Sequence, residues 1–206
     1  LPEVEFLRHK NPRTTAFMEL DKERMRAKGL KPVARMTWTP IGSISPDLTH
    51  AVIISEDDMF YLHKGVDWEA LREAMKYNIE KRRPARGAST ITQQLARNLF
   101  LSPSKNPLRK IKEYLIARRL EKDLSKRRIL ELYLNVAEWG PGIYGAQEAC
   151  RTYYGKDASE VGPEESAALA AALPNPRKLN PSRPAGKRLL RRREVILERM
   201  RKAGYL

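Results

Sequence analysis

Three short stretches of the chain carry side chains whose types and spacing could do chemistry. In "SEDDMFYLHKGVDW", residues 55–68, an apolar run (Ala51–Ile54) leads directly into Glu56, Asp57 and Asp58, with Phe60, His63 and Lys64 close behind. A carboxylate at the end of a buried element loses water. Its protonated form is then favoured, which suits it to take a proton from a hydroxyl. If the helix continues, Glu56, Phe60 and His63 share one side of it. The plainer alternative is a helix that leaves the core with its acids solvated, as most acid clusters are.

The second stretch is "LRKIKEYLIARRLEK", residues 108–122, where Arg109 and Lys110 stand four and three residues before Glu113. On a helix these three share a face, so an acid could hold two cations towards a phosphate. The ordinary alternative is a surface ion-pair ladder worth roughly 0.3–0.5 kcal/mol per pair, whose loss costs little stability. The third stretch, "RGASTITQQL", gathers Arg86, Gly87, Ser89, Thr90, Thr92, Gln93 and Gln94 at a helix start. Free N–H groups and the positive dipole end there favour an anion or a polar ligand. It lacks the Gly-Lys-Ser/Thr ending of a nucleotide phosphate loop. Equally, Ser89 or Thr90 could simply cap the helix.

The elements that must position these groups read as helices. Residues 14–29 form one, ending at Gly29, and the Pro- and Gly-rich segment 31–46 follows as an extended connection. Ser45 and Pro46 stand at the cap and first position of the next helix, and Asp67 caps another beginning at Trp68. After a helix beginning near Thr90, "SPSKNP" is a break. A charged helix then spans 108–124, with "KRRILELYLN" continuing as helix over 126–135. Gly140, Pro141, Gly142 and Gly145 make a turn-rich junction, followed by a helix containing Cys150, the helix "PEESAALAAAL" and a basic amphipathic helix over 185–203. β-Branched alternation is nearly absent, so the fold class is all-α, and the short helices with irregular connections exclude a simple bundle.

Bulk properties narrow the partner class. The 206 residues carry a formal charge of +15. That points to a polyanion, an anionic surface or a phosphorylated substrate. Cys150, the sole cysteine, excludes an intramolecular disulfide and sits in an apolar stretch as a buried thiol. With three histidines, zinc sites of the usual kinds are not expected. No apolar run approaches the roughly 18 residues of a membrane span. No zinc-finger, RRM or basic-zipper pattern supports the rival reading of a basic helical nucleic-acid binder.

Taken in order, five stretches resemble the signature blocks of the peptidoglycan glycosyltransferases, family 51 of the glycosyltransferases. They are "SEDDMFYLHKGVD", "RGASTITQQLARNLFL", "RKIKEYLIARRLEK", "KRRILELYLNVAEWGPGIYGAQEAC" and "ESAALAAALPNPRKLNP", spanning residues 55–181. "NPRTTAFM" near the start resembles the monofunctional biosynthetic transglycosylase branch. Arg97 stands where lysine is frequent in that family, and Cys150 where alanine is frequent.

The resemblance implies one domain over residues 1–206, mainly α, with a lysozyme-like head and a smaller membrane-facing jaw over roughly residues 85–125. It implies an N-terminal transmembrane anchor absent from this chain, and a place on the outer face of a bacterial cytoplasmic membrane. The implied reaction polymerises lipid II, forming β-1,4 bonds with inversion and releasing undecaprenyl pyrophosphate. Glu56 matches the base that deprotonates the acceptor hydroxyl, and Glu113 the second essential acid. Asp57, Phe60, Ser89, Thr90, Gln94, Arg97, Asn98, Arg109 and Lys110 match substrate-binding positions, the cations serving the pyrophosphate.

The implied partners are lipid II and the growing glycan strand, an anionic membrane surface and other cell-wall synthesis proteins, but not nucleic acid. Leu99, Phe100 and Leu101 would insert into the bilayer. No cofactor is required by the sequence, although a divalent cation (Mg or Mn) could help neutralise the pyrophosphate. The nearest enzymatic alternative is a lysozyme-like glycan-cleaving enzyme, for which the surplus of cations has no use.

Overall fold

A computed structural model describes residues 1–81, 88–102, 107–181 and 186–206. Arg86 and Gly87 of the third stretch, most of the "SPSKNP" break and Ala185 lie outside the described residues. Nine α-helices occur among those described: α1 (Ala16–Ala27), α2 (Pro46–Glu56), α3 (Trp68–Glu80), α4 (Ile91–Phe100), α5 (Pro107–Asp123), α6 (Lys126–Val136), α7 (Ala146–Tyr154), α8 (Pro163–Ala172) and α9 (Lys187–Lys202). The mainly-α expectation holds.

The helix starts follow local chemistry. Thr15, Asp67, Thr90 and Ser125 each accept a backbone N–H of the first turn, closing donors that have no partner within the helix. Pro46 and Pro163 occupy first positions. Ser45 does stand at the cap of α2, but its side chain makes no capping bond.

Two expectations about secondary structure are corrected. Short strands β1 (Arg35–Met36), β2 (Glu138–Gly140) and β3 (Ile143–Tyr144) form a small sheet in the order β1-β3-β2, β1 parallel and β2 antiparallel to β3. Strands of two or three residues are too short to leave an alternating pattern. The extended connection and the Gly-rich junction therefore meet as a sheet whose three strands all contact α7. The junction needs glycine at 145, where φ is +85° and a Cβ would lie 2.7 Å from the Asn135 carbonyl oxygen.

The second correction concerns α2, which stops at Glu56. Asp57 turns extended, with φ −167°, so Phe60 and His63 leave the helical face they were expected to share with Glu56. Leu48, Ala51, Val52, Ile53 and Ile54 are all buried, because α2 is enclosed by α8 and α9. The small side chains of α8, buried from Ser166 to Ala172, let its neighbours approach closely. A second group packs α4 against α1, α5 and α6. One apolar core runs through both groups.

Leu99 is buried, and Phe100 and Leu101 pack against the core, so these three side chains do not form the expected insertion surface. Large exposed apolar side chains lie instead on α3 (Trp68, Met75, Ile79) and α5 (Leu108, Ile111, Leu115). Among the described residues no helix is long and apolar enough to cross a membrane.

Candidate active site

The first acid of the opening cluster follows a helical turn, Ala51–Ile54, that is buried on every side. Glu56, the last residue of α2, is held only partly exposed, and burial raises its pKa above the usual glutamate value. The Gln94 side chain, the Arg192 charge and the Arg97 charge offset part of that rise. Gln94 Nε2 donates to Glu56 Oε2 at 2.9 Å, and Ser55 Oγ approaches Oε1 at 3.3 Å. The pKa moves in the direction expected from the sequence. The cause is enclosure between helix groups, not Phe60 on a shared helical face.

Glu113 has 1% exposure, so the picture of an ordinary surface ladder fails here. Arg109 Nη1 donates to its Oε2 at 2.7 Å, and Lys110 Nζ donates to Oε1. Both carboxylate oxygens are thus occupied by cations that are themselves part-exposed, on one face of α5. Lys110 Nζ also donates to Ser89 Oγ at 2.9 Å. The Ser89 carbonyl oxygen lies 3.5 Å from Gln94 Nε2. Polar contacts therefore run without a gap from Glu56 through Gln94, Ser89 and Lys110 to Glu113. Residues from α2, α4 and α5 meet in one site.

Asp57 and His63 brace this arrangement from beneath. Asp57 Oδ2 accepts the Ile91 N–H at 2.9 Å, at the first turn of α4, where the helix dipole favours a carboxylate. His63 Nε2 lies 2.9 and 3.0 Å from the two Asp57 oxygens, while His63 Nδ1 accepts the Gly65 N–H at 3.1 Å. The Gly65 bond leaves the ring proton on Nε2, where it donates to Asp57. Gly65 has φ +93°, and a Cβ there would crowd Glu121 at 3.2 Å.

Thr90 is the cap of α4 in a reciprocal box with Gln93, and its hydroxyl donates to the Gly65 carbonyl at 2.7 Å. Phe60 has no exposed surface, and Lys126 Nζ sits 4.5 Å from its ring centre. Asp57, Phe60 and Thr90 therefore belong to the supporting layer, whereas Gln94, Arg97 and Asn98 share a part-exposed face of α4.

Two residues of the site have no distinguishing signal in the sequence. Tyr133, in the apolar-looking helix α6, donates its hydroxyl to Gln94 Oε1 at 3.0 Å. Arg192 of α9 anchors its Nε on the Ala171 carbonyl at 3.2 Å and brings positive charge to Glu56. Beside it a pocket of about 500 Å³ is lined by Ser55, Arg188, Arg191, Arg192, Val195 and Arg199. One arginine in an Arg-rich helix looks like the rest until the helix is packed.

Cys150 is fully buried and its thiol is pushed up to about 12 by burial, consistent with a core residue. No group of three or more His, Cys, Asp or Glu that could hold a metal ion occurs among the described residues.

A family model described as transglycosylase matches residues 23–201. The biosynthetic peptidoglycan transglycosylase of Azoarcus sp. (strain BH72) is 49% identical over 200 residues, covering 96% of this chain and 85% of the relative. That of Aromatoleum aromaticum (strain DSM 19018 / LMG 30748 / EbN1) is 51% identical over 170 residues, with coverage of 82% and 74%. The same-named protein of Nitrosospira multiformis (strain ATCC 25196 / NCIMB 11849 / C 71) is 46% identical over 194 residues, covering 94% and 84%.

Proposed function

The chain belongs to the transglycosylase family, and we propose that it polymerises peptidoglycan glycan strands from lipid II. The β-1,4 bond forms with inversion and undecaprenyl pyrophosphate leaves. The observation that carries the mechanism is the unbroken polar path from Glu56 to the buried Glu113 with its two cations.

A sugar hydroxyl is a weak nucleophile, so its proton must be removed as the new bond forms. Glu56 is the base: burial gives it affinity for that proton, while Gln94, Arg192 and Arg97 offset part of that rise. The acceptor oxygen bonds to the anomeric carbon as the anomeric carbon–phosphate oxygen bond breaks, and the electron pair departs with pyrophosphate. That leaving group needs positive charge more than a proton donor. Arg109 and Lys110 supply the charge, with Arg97 on the neighbouring helix. Glu113 acts through them, since its oxygens are already engaged. Ser89, Gln94 and Asn98 line the donor side, supported by Asp57, Phe60 and Thr90. Any divalent cation (Mg or Mn) would be carried by the pyrophosphate itself.

A glycan-cleaving enzyme would need a protonated acid at an uncharged leaving group. The raised pKa of Glu56 alone would allow that role, but the cations held at the buried Glu113 have no use at an uncharged leaving group. Several arginines that suggested nucleic acid are engaged within the protein, Arg192 on Ala171, Arg199 on Asp58 and Arg193 on Glu194. We place the enzyme in the cell envelope, at the outer face of the cytoplasmic membrane. The exposed apolar side chains of α3 and α5, beside the basic residues of α5, would meet an anionic lipid surface.

The test is polymerisation of fluorescent lipid II by the purified chain, alongside a gel shift with a random DNA duplex. Glycan ladders made by the wild-type protein and missing with Glu56→Gln support the reading. Duplex binding without polymerisation overturns it.

A further inference from the structure

The Tyr133–Gln94–Glu56 contacts have a polarity. A phenol carries one proton, an amide has one donor end and one acceptor end, and an ionised carboxylate only accepts. The Tyr133 hydroxyl donates to Gln94 Oε1 at 3.0 Å, which turns Gln94 Nε2 towards Glu56 Oε2 at 2.9 Å. Tyr133 has 1% exposure, so turning the amide round would leave its phenolic proton buried without the acceptor it now has. We propose that Tyr133 is a positioning residue that fixes the Gln94 amide with its N–H towards Glu56 Oε2, so that Oε1, held only by the longer Ser55 Oγ contact at 3.3 Å, is the oxygen that receives the acceptor's proton.

The tyrosine suits this role because it stays a donor. Burial, and then the negative charge of Glu56, push its ionisation far above the ordinary tyrosine range. The Ser89 carbonyl accepts from the same nitrogen at 3.5 Å, and the shorter Tyr133 contact at 3.0 Å holds the other end of the amide. Around Glu56 stand Arg97 from α4, Arg192 from α9, Asp57 at the end of α2 and Tyr133 from α6. The two arginines favour the carboxylate in any amide orientation. The Tyr133 hydroxyl decides which end of Gln94 the carboxylate meets, and so how tightly a proton is held.

The inference rests on Glu56 being the base only for its kinetic consequence. Its structural content is tested separately, by titrating the Glu56 carboxyl carbon by NMR in protein labelled at glutamate, with Glu56→Gln giving the assignment. In Tyr133→Phe the amide is free to turn and Oε2 loses its fixed donor. The Glu56 titration should rise by roughly 0.5–1 pH unit, the equivalent of one net hydrogen bond. The acidic limb of kcat/KM for lipid II polymerisation should move up by the same amount, with activity recovering at higher pH. A residue that only packs would lower activity at every pH and leave the limb in place.

Should Tyr133→Phe fail to fold, Gln94→Leu removes the donor itself and must raise the titration at least as far. An unmoved Glu56 titration in the folded variant overturns the proposal. A moved titration in a protein that does not polymerise lipid II leaves the positioning of Gln94 by Tyr133 standing and overturns the enzymatic reading instead.

Discussion

Asp57 Oδ2 accepts the Ile91 N–H at 2.9 Å, so the residue that follows Glu56 at the end of one helix anchors the first turn of the helix that carries Gln94. The same carboxylate accepts a hydrogen bond from the His63 Nε2–H. One buried side chain thereby sets the spacing between the proposed base and its hydrogen-bond donor. Asp57→Asn keeps one acceptor oxygen but loses the charge and sets an N–H donor where the second oxygen now faces the His63 Nε2–H. The expected cost is about 1–3 kcal/mol of stability, read by urea denaturation. Polymerisation should fall with Asp57→Asn while lipid II binding weakens less. An unchanged unfolding midpoint would show that the carboxylate contributes nothing to the junction.

Glu56→Gln keeps the side-chain shape and removes the basic oxygen. Polymerisation should fall by about 10²–10⁴-fold, with lipid II binding retained. Stability should move the other way. The folded-state pKa of Glu56 is raised, so the folded state binds the proton more tightly and loses stability as pH rises from the ordinary glutamate range through the raised value. Glu56→Gln lacks that loss. It should therefore melt at or above the wild-type temperature at neutral pH, with the gap closing towards acid. Calorimetry from pH 4 to 8 reads this directly.

For Arg109 and Lys110 the sequence alone suggests a negligible stability cost, and burial of Glu113 revises that. Arg109→Gln removes one of two cations from a carboxylate of 1% exposure. A loss on the order of 1–3 kcal/mol is expected, reduced by the partial exposure of the arginine and the remaining lysine. Turnover should fall further, by about 10²–10³-fold, because charge at the leaving group is lost as well. Arg109→Gln with Glu113→Gln should regain stability without regaining turnover. Recovery of both would make the pair a structural feature only.

Membrane attachment should depend on α3 and α5. Ile79 and Ile111 are well exposed, so Ile79→Glu and Ile111→Glu should leave the melting temperature unchanged. Flotation with anionic vesicles should be weakened by both. Substitution of the buried Leu99 by alanine should do the reverse, costing about 2–5 kcal/mol of stability with little direct effect on flotation. Flotation unaffected by either glutamate would move the lipid-facing surface elsewhere.

Much of this protein follows from local chemistry alone. The caps at Asp67 and Thr90, the first-turn Pro46 and the helical runs depend on neighbours a few residues away, and these are legible in the order of the residues. The pairing of Arg109 and Lys110 with Glu113 is legible for the same reason, since three- and four-residue spacings meet on any helix. The five blocks also single out Glu56 and Glu113 as the two acids. Burial and long-range partners are different in kind. Whether Glu113 is a solvated rung or a buried anchor, whether α2 ends at Glu56, and whether Tyr133 and Arg192 reach the site all depend on which helices enclose them. Desolvation and hydrogen bonding act over a few ångströms of space. Only the packing of α2, α4, α6 and α9 brings those groups within that range.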